Sequence, residues 1–254
     1  MGSAVDLTGR HAVVSGASRG IGEAIARAFR AAGASLHLIA EDEGVHEVAR
    51  DLGAMSHAVD ITDDEAVRAA FAASAPVDVL VNNAGLERIT PLDEAGPAVL
   101  ATFRRVLDVN VTGTMIVTRA ALPLMGAGGR VINTASIWSR AAEPLFGAYV
   151  ASKHATIGLT RTWARELGPR GIAVNAVCPG WVRTAGSERS VRELVARNGR
   201  AEAEIIGTVE GAQALPGGLM EPPDIVGPYL FLASPLAANI TGQSLGVDRG
   251  EVPW

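Results

Sequence analysis

Short apolar runs recur along this chain, each followed by a longer stretch whose apolar residues fall three and four positions apart. That alternation of strand period with helix period admits few folds, because it builds β-α units whose strands lie parallel in one sheet. Strands are expected at residues 11–15, 35–40, 55–59, 77–81, 130–135, 172–177 and 244–247. Helices are expected at 20–32, 43–52, 63–73, 99–125, 149–167 and 224–232. Val77-Asp78-Val79-Leu80-Val81 and the run at 172–177 are apolar enough for strands covered on both faces. With no repeat, low-complexity tract or linker, residues 1–254 are expected to form a single domain. Residues 183–221, rich in Arg, Glu and Gly, break the rhythm and are expected to be an excursion of one or two helices that binds substrate.

Composition excludes several classes. A formal charge of −5 with basic residues scattered among acids leaves no footprint for nucleic acid. The single Cys, Cys178, cannot form an internal disulfide, and no CxxC or HExxH spacing points to a metal. No apolar run is long enough to span a membrane, and the first ten residues lack the layout of a signal peptide. A soluble, reducing, cytoplasmic setting is expected.

The first strand runs straight into Ser15-Gly16-Ala17-Ser18-Arg19-Gly20-Ile21-Gly22. Glycines at such a junction allow a tight turn and close approach to a pyrophosphate, held by the N–H groups and positive end of the following helix. The bland alternative is a plain Gly-rich turn. Gly16-Ala17-Ser18-Arg19-Gly20 also fits the nucleophile elbow of hydrolases, but that chemistry needs a later acid and then a His, and the last His, His154, adjoins Lys153 inside a helix.

Of 22 basic residues one alone is Lys, Lys153, and it stands four positions after Tyr149, one of two Tyr. On a helix these share a face, and a fixed cation beside a phenol favours phenolate, bringing proton exchange within reach of neutral pH. Surface Tyr and Lys would be the ordinary explanation, but a chain that uses Arg everywhere else has here the compact ammonium that Arg does not replace.

Taken together, Gly16-x-x-x-Gly20-x-Gly22, Asn82-Asn83-Ala84-Gly85, Asn110 in Asp-Val-Asn-Val-Thr-Gly, Ser136, Tyr149-x-x-x-Lys153 and Pro179-Gly180 resemble the short-chain dehydrogenase/reductase family. The resemblance spans nearly the whole chain and is weakest at 183–221. It implies a Rossmann fold, a doubly wound seven-stranded parallel sheet with helices on both faces. It also implies roles. Tyr149 would be the general acid/base, Lys153 would bind the nicotinamide ribose and lower the Tyr149 pKa, Ser136 would orient the substrate oxygen, and Asn110 would hold a water linking Lys153 to solvent. Gly16, Ser18, Arg19, Gly20, Ile21 and Gly22 would cradle the dinucleotide, with Asn83, Ala84 and Gly85 along it, Asp60 and Ile61 at the adenine, and Pro179, Gly180, Val182 and Thr184 at the carboxamide end. Singly each has a bland reading, such as a helix cap for Asp60 or a satisfied buried amide for Asn110.

The cofactor is expected to be NAD in preference to NADP. Where NAD-preferring members carry Asp this chain has Ala40, a departure from the pattern, but Glu41 follows at once and would repel a 2′-phosphate. Arg19 pulls toward NADP. Glu87, Trp138, Glu143 and Trp181 flank the catalytic positions and are candidates for the substrate pocket, suited to a small polar alcohol or ketone. The Arg residues at 183, 189, 192, 197 and 200 are interleaved with Glu and are expected to form a solvated helix face. The resemblance implies a homotetramer built through the helices at 99–125 and 149–167, with Val252-Pro253-Trp254 as a docked tail. The alternatives are an NADPH-dependent 3-oxoacyl-type ketoreductase and a dinucleotide-binding sensor or scaffold without catalysis, which the intact Ser136, Tyr149, Lys153 and Asn110 set opposes.

Overall fold

The structure is a computed structural model and describes residues 5–253. Trp254, on which the docked tail rests, lies outside the described residues.

Seven strands form one parallel sheet, β1 (His11–Ser15), β2 (Ser35–Ala40), β3 (Met55–Ala58), β4 (Val79–Asn82), β5 (Arg130–Thr134), β6 (Ala173–Pro179) and β7 (Ser244–Val247), in the order β3-β2-β1-β4-β5-β6-β7. The central strands β4, β5 and β6 are buried at every residue, whereas the edge strands β3 and β7 are largely half-buried. Apolar residues on both faces of a central strand are what two covering layers of helix require. The order reverses between β1 and β4, and the crevice past their carboxyl ends is where ligands settle in such sheets.

The covering helices are α1 (Gly20–Ala31), α2 (Gly44–Leu52), α3 (Asp64–Ala72), α4 (Pro97–Leu107), α5 (Thr114–Ala121), α6 (Gly147–Leu167), α7 (Ala185–Asn198), α8 (Glu202–Ala212) and α9 (Val226–Ala233). In α1 the buried Gly22, Ile25, Ala26 and Phe29 make one stripe at helical spacing, which packs against the sheet beside α9. Among the described residues no helix is long and apolar enough to cross a membrane.

Most elements fall within a few residues of expectation, and three differ in kind or in how they start. The continuous helix at 99–125 begins at Pro97 and contains a π-helical segment, Asp108–Gly113, between α4 and α5, followed by a 3-10 turn at Leu122–Leu124. The reason is local: a Cβ on Gly113 would lie 2.7 Å from the Ile61 side chain, so the helix widens where the loop after β3 crowds it. The strand expected at 77–81 starts at Val79, since Val77 and Asp78 are spent on bonds to Leu124 and His11. The helix expected at 224–232 opens as a 3-10 turn, Pro222–Ile225, because two prolines at its start withhold N–H donors.

Candidate active site

The carboxyl ends of β1, β2, β4, β5 and β6 surround a cavity of about 840 Å³. At one end lies the glycine turn. A Cβ on Gly16 would sit 2.7 Å from the Ala84 backbone, and one on Gly22 would sit 2.1 Å from the Gly16 carbonyl. Gly22 does not line the cavity; its bare α-carbon lets the turn close under it. Asn83 fastens the turn to the switch point, its side-chain amide donating to the carbonyls of Ser15 and Gly16 at 3.2 Å. Arg19 is the N-cap of α1 and supplies no side-chain cap, so the first N–H groups of the helix face the cavity. An open helix N-terminus with a cradle that tolerates no Cβ fits a dinucleotide pyrophosphate.

At the other end α6 carries Tyr149 and Lys153 on one face. Tyr149 and Ser136 line the cavity together, and Lys153 Nζ stands 5.4 Å from the Tyr149 ring centre. Ser136 follows β5 and caps a short 3-10 turn, Ile137–Ser139, by accepting the Trp138 N–H at 3.2 Å. Lys153 is 5% exposed and donates to the Thr134 carbonyl at 2.8 Å, which aims the ammonium along the end of β5. Burial brings Lys153 down to about 8. Burial also pushes the Tyr149 phenol well above its ordinary range, and the negative charge of Glu87 adds to the rise. In the protein alone, desolvation is the largest influence on the Tyr149 phenol.

Asn110 sits in the π-helical segment, buried and outside the cavity lining. Its Oδ1 accepts the Leu86 N–H at 2.7 Å, while its Nδ2 donates to the Leu86 carbonyl at 3.0 Å and to Ser152 Oγ at 2.9 Å. Ser152 in turn donates to the Tyr149 carbonyl at 2.7 Å. Here Asn110 ties the loop after β4 to the catalytic helix with the polar atoms that were expected to hold a water.

The family model described as Enoyl-(Acyl carrier protein) reductase matches residues 16–251. Galactitol 2-dehydrogenase (L-tagatose-forming) of Cereibacter sphaeroides is 40% identical over 98% of this chain and 97% of its own length. The chain belongs to the short-chain dehydrogenase/reductase family. The crystal structure of carveol dehydrogenase from Mycobacterium avium, in complex with NAD, superimposes with a TM-score of 0.88 at 30% identity, covering 98% of this chain and 99% of that one. A Beutenbergia cavernae protein assigned as an NAD(P)-dependent gluconate 5-dehydrogenase, with NADP bound, gives a TM-score of 0.84 at 39% identity over 97% and 98% of the two chains. The doubly wound Rossmann sheet is thus that of the short-chain dehydrogenases, and the protein is an NAD(P)-dependent oxidoreductase acting on CH–OH groups.

In this short-chain dehydrogenase, Gly16, Ser18, Arg19, Gly20, Ile21, Glu41, Asp60, Ile61, Asn83, Ala84, Gly85, Pro179, Gly180, Val182 and Thr184 line the cavity with Ser136, Tyr149 and Lys153. Glu87, Trp138 and Trp181 line it too, and the Trp138 ring meets those of Tyr149 and Trp181 edge-on at 5.9 Å. Glu143 does not: after the turn at Ile137–Ser139 the chain swings away, leaving Glu143 half-buried near Glu251. Burial raises its carboxyl.

Several lining residues escaped the sequence reading, Asp42, Arg105 and Arg189 among them. Asp42 Oδ2 accepts Ser18 Oγ at 2.8 Å and the Arg19 guanidinium at 3.0 Å. It lies two residues past the end of β2, so counting along the strand stops short of it. Arg189, expected on a solvated face, lines the cavity and donates to the Glu87 carbonyl at 3.1 Å. Glu41 pairs instead with Arg105, which also holds Asp60 at 2.7 Å. Burial works to raise the Asp60 carboxyl, but hydrogen bonds from Thr62 and Arg105 outweigh it and keep the group below the usual carboxylate range.

Proposed function

We propose that this chain interconverts a secondary alcohol and a ketone on a small polyhydroxylated substrate, with NAD preferred and Tyr149 as proton donor and acceptor. One observation carries the reading: Tyr149, Ser136 and Lys153 line the same cavity as an uncapped helix N-terminus, with Lys153 Nζ 5.4 Å from the Tyr149 ring centre. A nicotinamide dinucleotide bound there supplies or accepts the hydride. Tyr149 Oη gives its proton to the ketone oxygen in reduction and takes the hydroxyl proton in oxidation. Ser136 Oγ donates a hydrogen bond to that same oxygen and fixes the reacting carbon over the cavity. The Lys153 ammonium opposes the burial that holds the phenol protonated, and its remaining N–H bonds suit a ribose hydroxyl. Trp138 and Trp181 supply flat apolar walls against which the carbon face of a polyol packs.

The NAD preference is supported by Asp42 and Glu41. The only guanidinium in the glycine turn is already paired with Asp42, so a 2′-phosphate would have to compete with that carboxylate for Arg19, beside a Glu41 that is itself paired with Arg105. The relative that acts on galactitol supports the polyol class. A panel of polyols, monohydric alcohols and ketones, followed by the absorbance of reduced nicotinamide with each dinucleotide, tests the reading. Oxidation of polyols with a higher kcat/KM for NAD is expected; no turnover of any secondary alcohol, or equal use of NADP, overturns it. Assembly through α4, α5 and α6 into a homotetramer is supported by Leu100 and Met115, half-exposed on α4 and α5, and sedimentation velocity checks it.

A further inference from the structure

Tyr149 and Ser136 engage one oxygen of a substrate, yet the same cavity carries a second polar group that the proton transfer does not use. Glu87, on the segment between β4 and α4, lines the cavity together with Tyr149, Ser136, Trp138 and Trp181. Its placement is enforced from both sides. The Leu86 peptide before it is held at N–H and C=O by Asn110, and its own carbonyl accepts Arg88 at 2.7 Å and Arg189 at 3.1 Å. Its carboxyl is held too: Oε1 accepts the Ser190 hydroxyl of α7 at 2.5 Å. Among the described residues no side chain donates to Oε2, which leaves that oxygen for whatever enters the cavity. Burial pushes the Glu87 carboxyl above its ordinary range, and Glu193 of α7 adds to that, while the Ser190 hydrogen bond, Arg189 of α7 and Lys153 of α6 favour the carboxylate.

We infer that Glu87 is the specificity-determining residue of this site: its free oxygen accepts a second hydroxyl adjacent to the reacting carbinol, so it selects vicinal diols and polyols and disfavours alcohols that carry a carboxylate there. The inference rests on the alcohol dehydrogenase reading given above. A carboxylate accepting a hydroxyl makes a charge-assisted bond, stronger than one between neutral partners. A site built to pair a substrate hydroxyl discriminates sharply against an analogue lacking it, because its own buried polar group is then left unpaired. A substrate carboxylate in the same place meets like charge in a water-poor cavity. Two of the anchors, Ser190 and Arg189, come from α7, so the orientation of Glu87 depends on that helix being seated on the loop after β4.

The test compares kcat/KM for 2,3-butanediol, 2-butanol and 3-hydroxybutyrate with NAD as oxidant, well above the ordinary carboxylate range of pH, in wild type, Glu87→Gln and Ser190→Ala. In Glu87→Gln the ratio of diol to monohydric alcohol is expected to fall roughly tenfold, while the ratio of hydroxybutyrate to monohydric alcohol rises. Ser190→Ala, which frees the carboxyl without removing it, is expected to move the first ratio the same way by less. Both ratios unchanged in both folded variants, or a change carried wholly by the KM for the dinucleotide, overturns the assignment. If wild type oxidises none of the three, the alcohol dehydrogenase reading itself falls, and the inference falls with it.

Discussion

The Asp42 carboxylate stands 3.0 Å from the Arg19 guanidinium and accepts Ser18 Oγ at 2.8 Å, so it lies against the glycine turn. Both side chains are largely in water, so the pair contributes little to stability. Its effect is on what Arg19 is free to bind. Asp42→Ala should release the guanidinium toward a 2′-phosphate and shift the ratio of kcat/KM for NADP over NAD upward by roughly tenfold. Steady-state kinetics with both dinucleotides checks this, and an unmoved ratio removes Asp42 from cofactor choice.

Tyr149→Phe deletes the one hydroxyl placed to exchange a proton with the substrate. Turnover should fall by roughly a thousandfold, while dinucleotide affinity, read by quenching of the Trp fluorescence, stays close to wild type. Residual activity of the same order as wild type would place the proton transfer elsewhere.

Lys153→Arg keeps the charge and should still lose most activity. The ammonium is buried and bonded to the Thr134 carbonyl at 2.8 Å, and the longer planar guanidinium has no room to reproduce that geometry. A fall in kcat of about tenfold or more is expected; full activity would show that charge alone suffices.

His37 is fully buried in β2, and its Nε2 lies 2.9 Å from His57 Nδ1. Burial, with the nearby His57 and His11, lowers its pKa from 6.5 to about 4. The unfolded chain therefore takes up the proton first, so this group costs stability as pH falls through the window from 6.5 toward about 4. Between pH 7 and pH 5 the loss is about 2 kcal/mol. His37→Leu lacks the titration, so its urea midpoint should depend less on pH over that range; equal dependence in the two proteins would exclude His37.

Gly22→Ala places a methyl where the Gly16 carbonyl already stands, 2.1 Å from the new carbon. The turn must shift, at a cost of about 1–3 kcal/mol, and dinucleotide affinity should fall with it. Thermal unfolding with and without NAD separates the two effects. An unaltered Tm in both conditions would contradict the close approach.

The fold was legible because two periodicities alternate along most of the chain, and the catalytic pair because a lone Lys at helical spacing from a scarce Tyr stands out against a chain of Arg. What stayed hidden depends on where chain segments pass one another. Asp42 lies in a turn whose direction strand spacing does not encode, and it acts through Ser18 and Arg19 rather than at the expected strand end. Glu143 and Glu87 looked alike in sequence, each a carboxylate close to a motif; the turn after Ser136 carries one away, while Asn110 and Ser190 hold the other in. The break at Asp108–Gly113 was unreadable from helical spacing, since it arises from the crowding of Ile61 against Gly113.

Asn110 grips the Leu86 N–H and C=O and reaches the Tyr149 carbonyl through Ser152, so the loop after β4 and the catalytic helix are joined by the Asn110 and Ser152 side chains rather than by the side chain of residue 87. Residue 87 can be exchanged without loosening that joint. The arrangement makes chemistry and substrate choice separately evolvable: a descendant of this chain can change its diet at one loop position while inheriting its proton transfer intact.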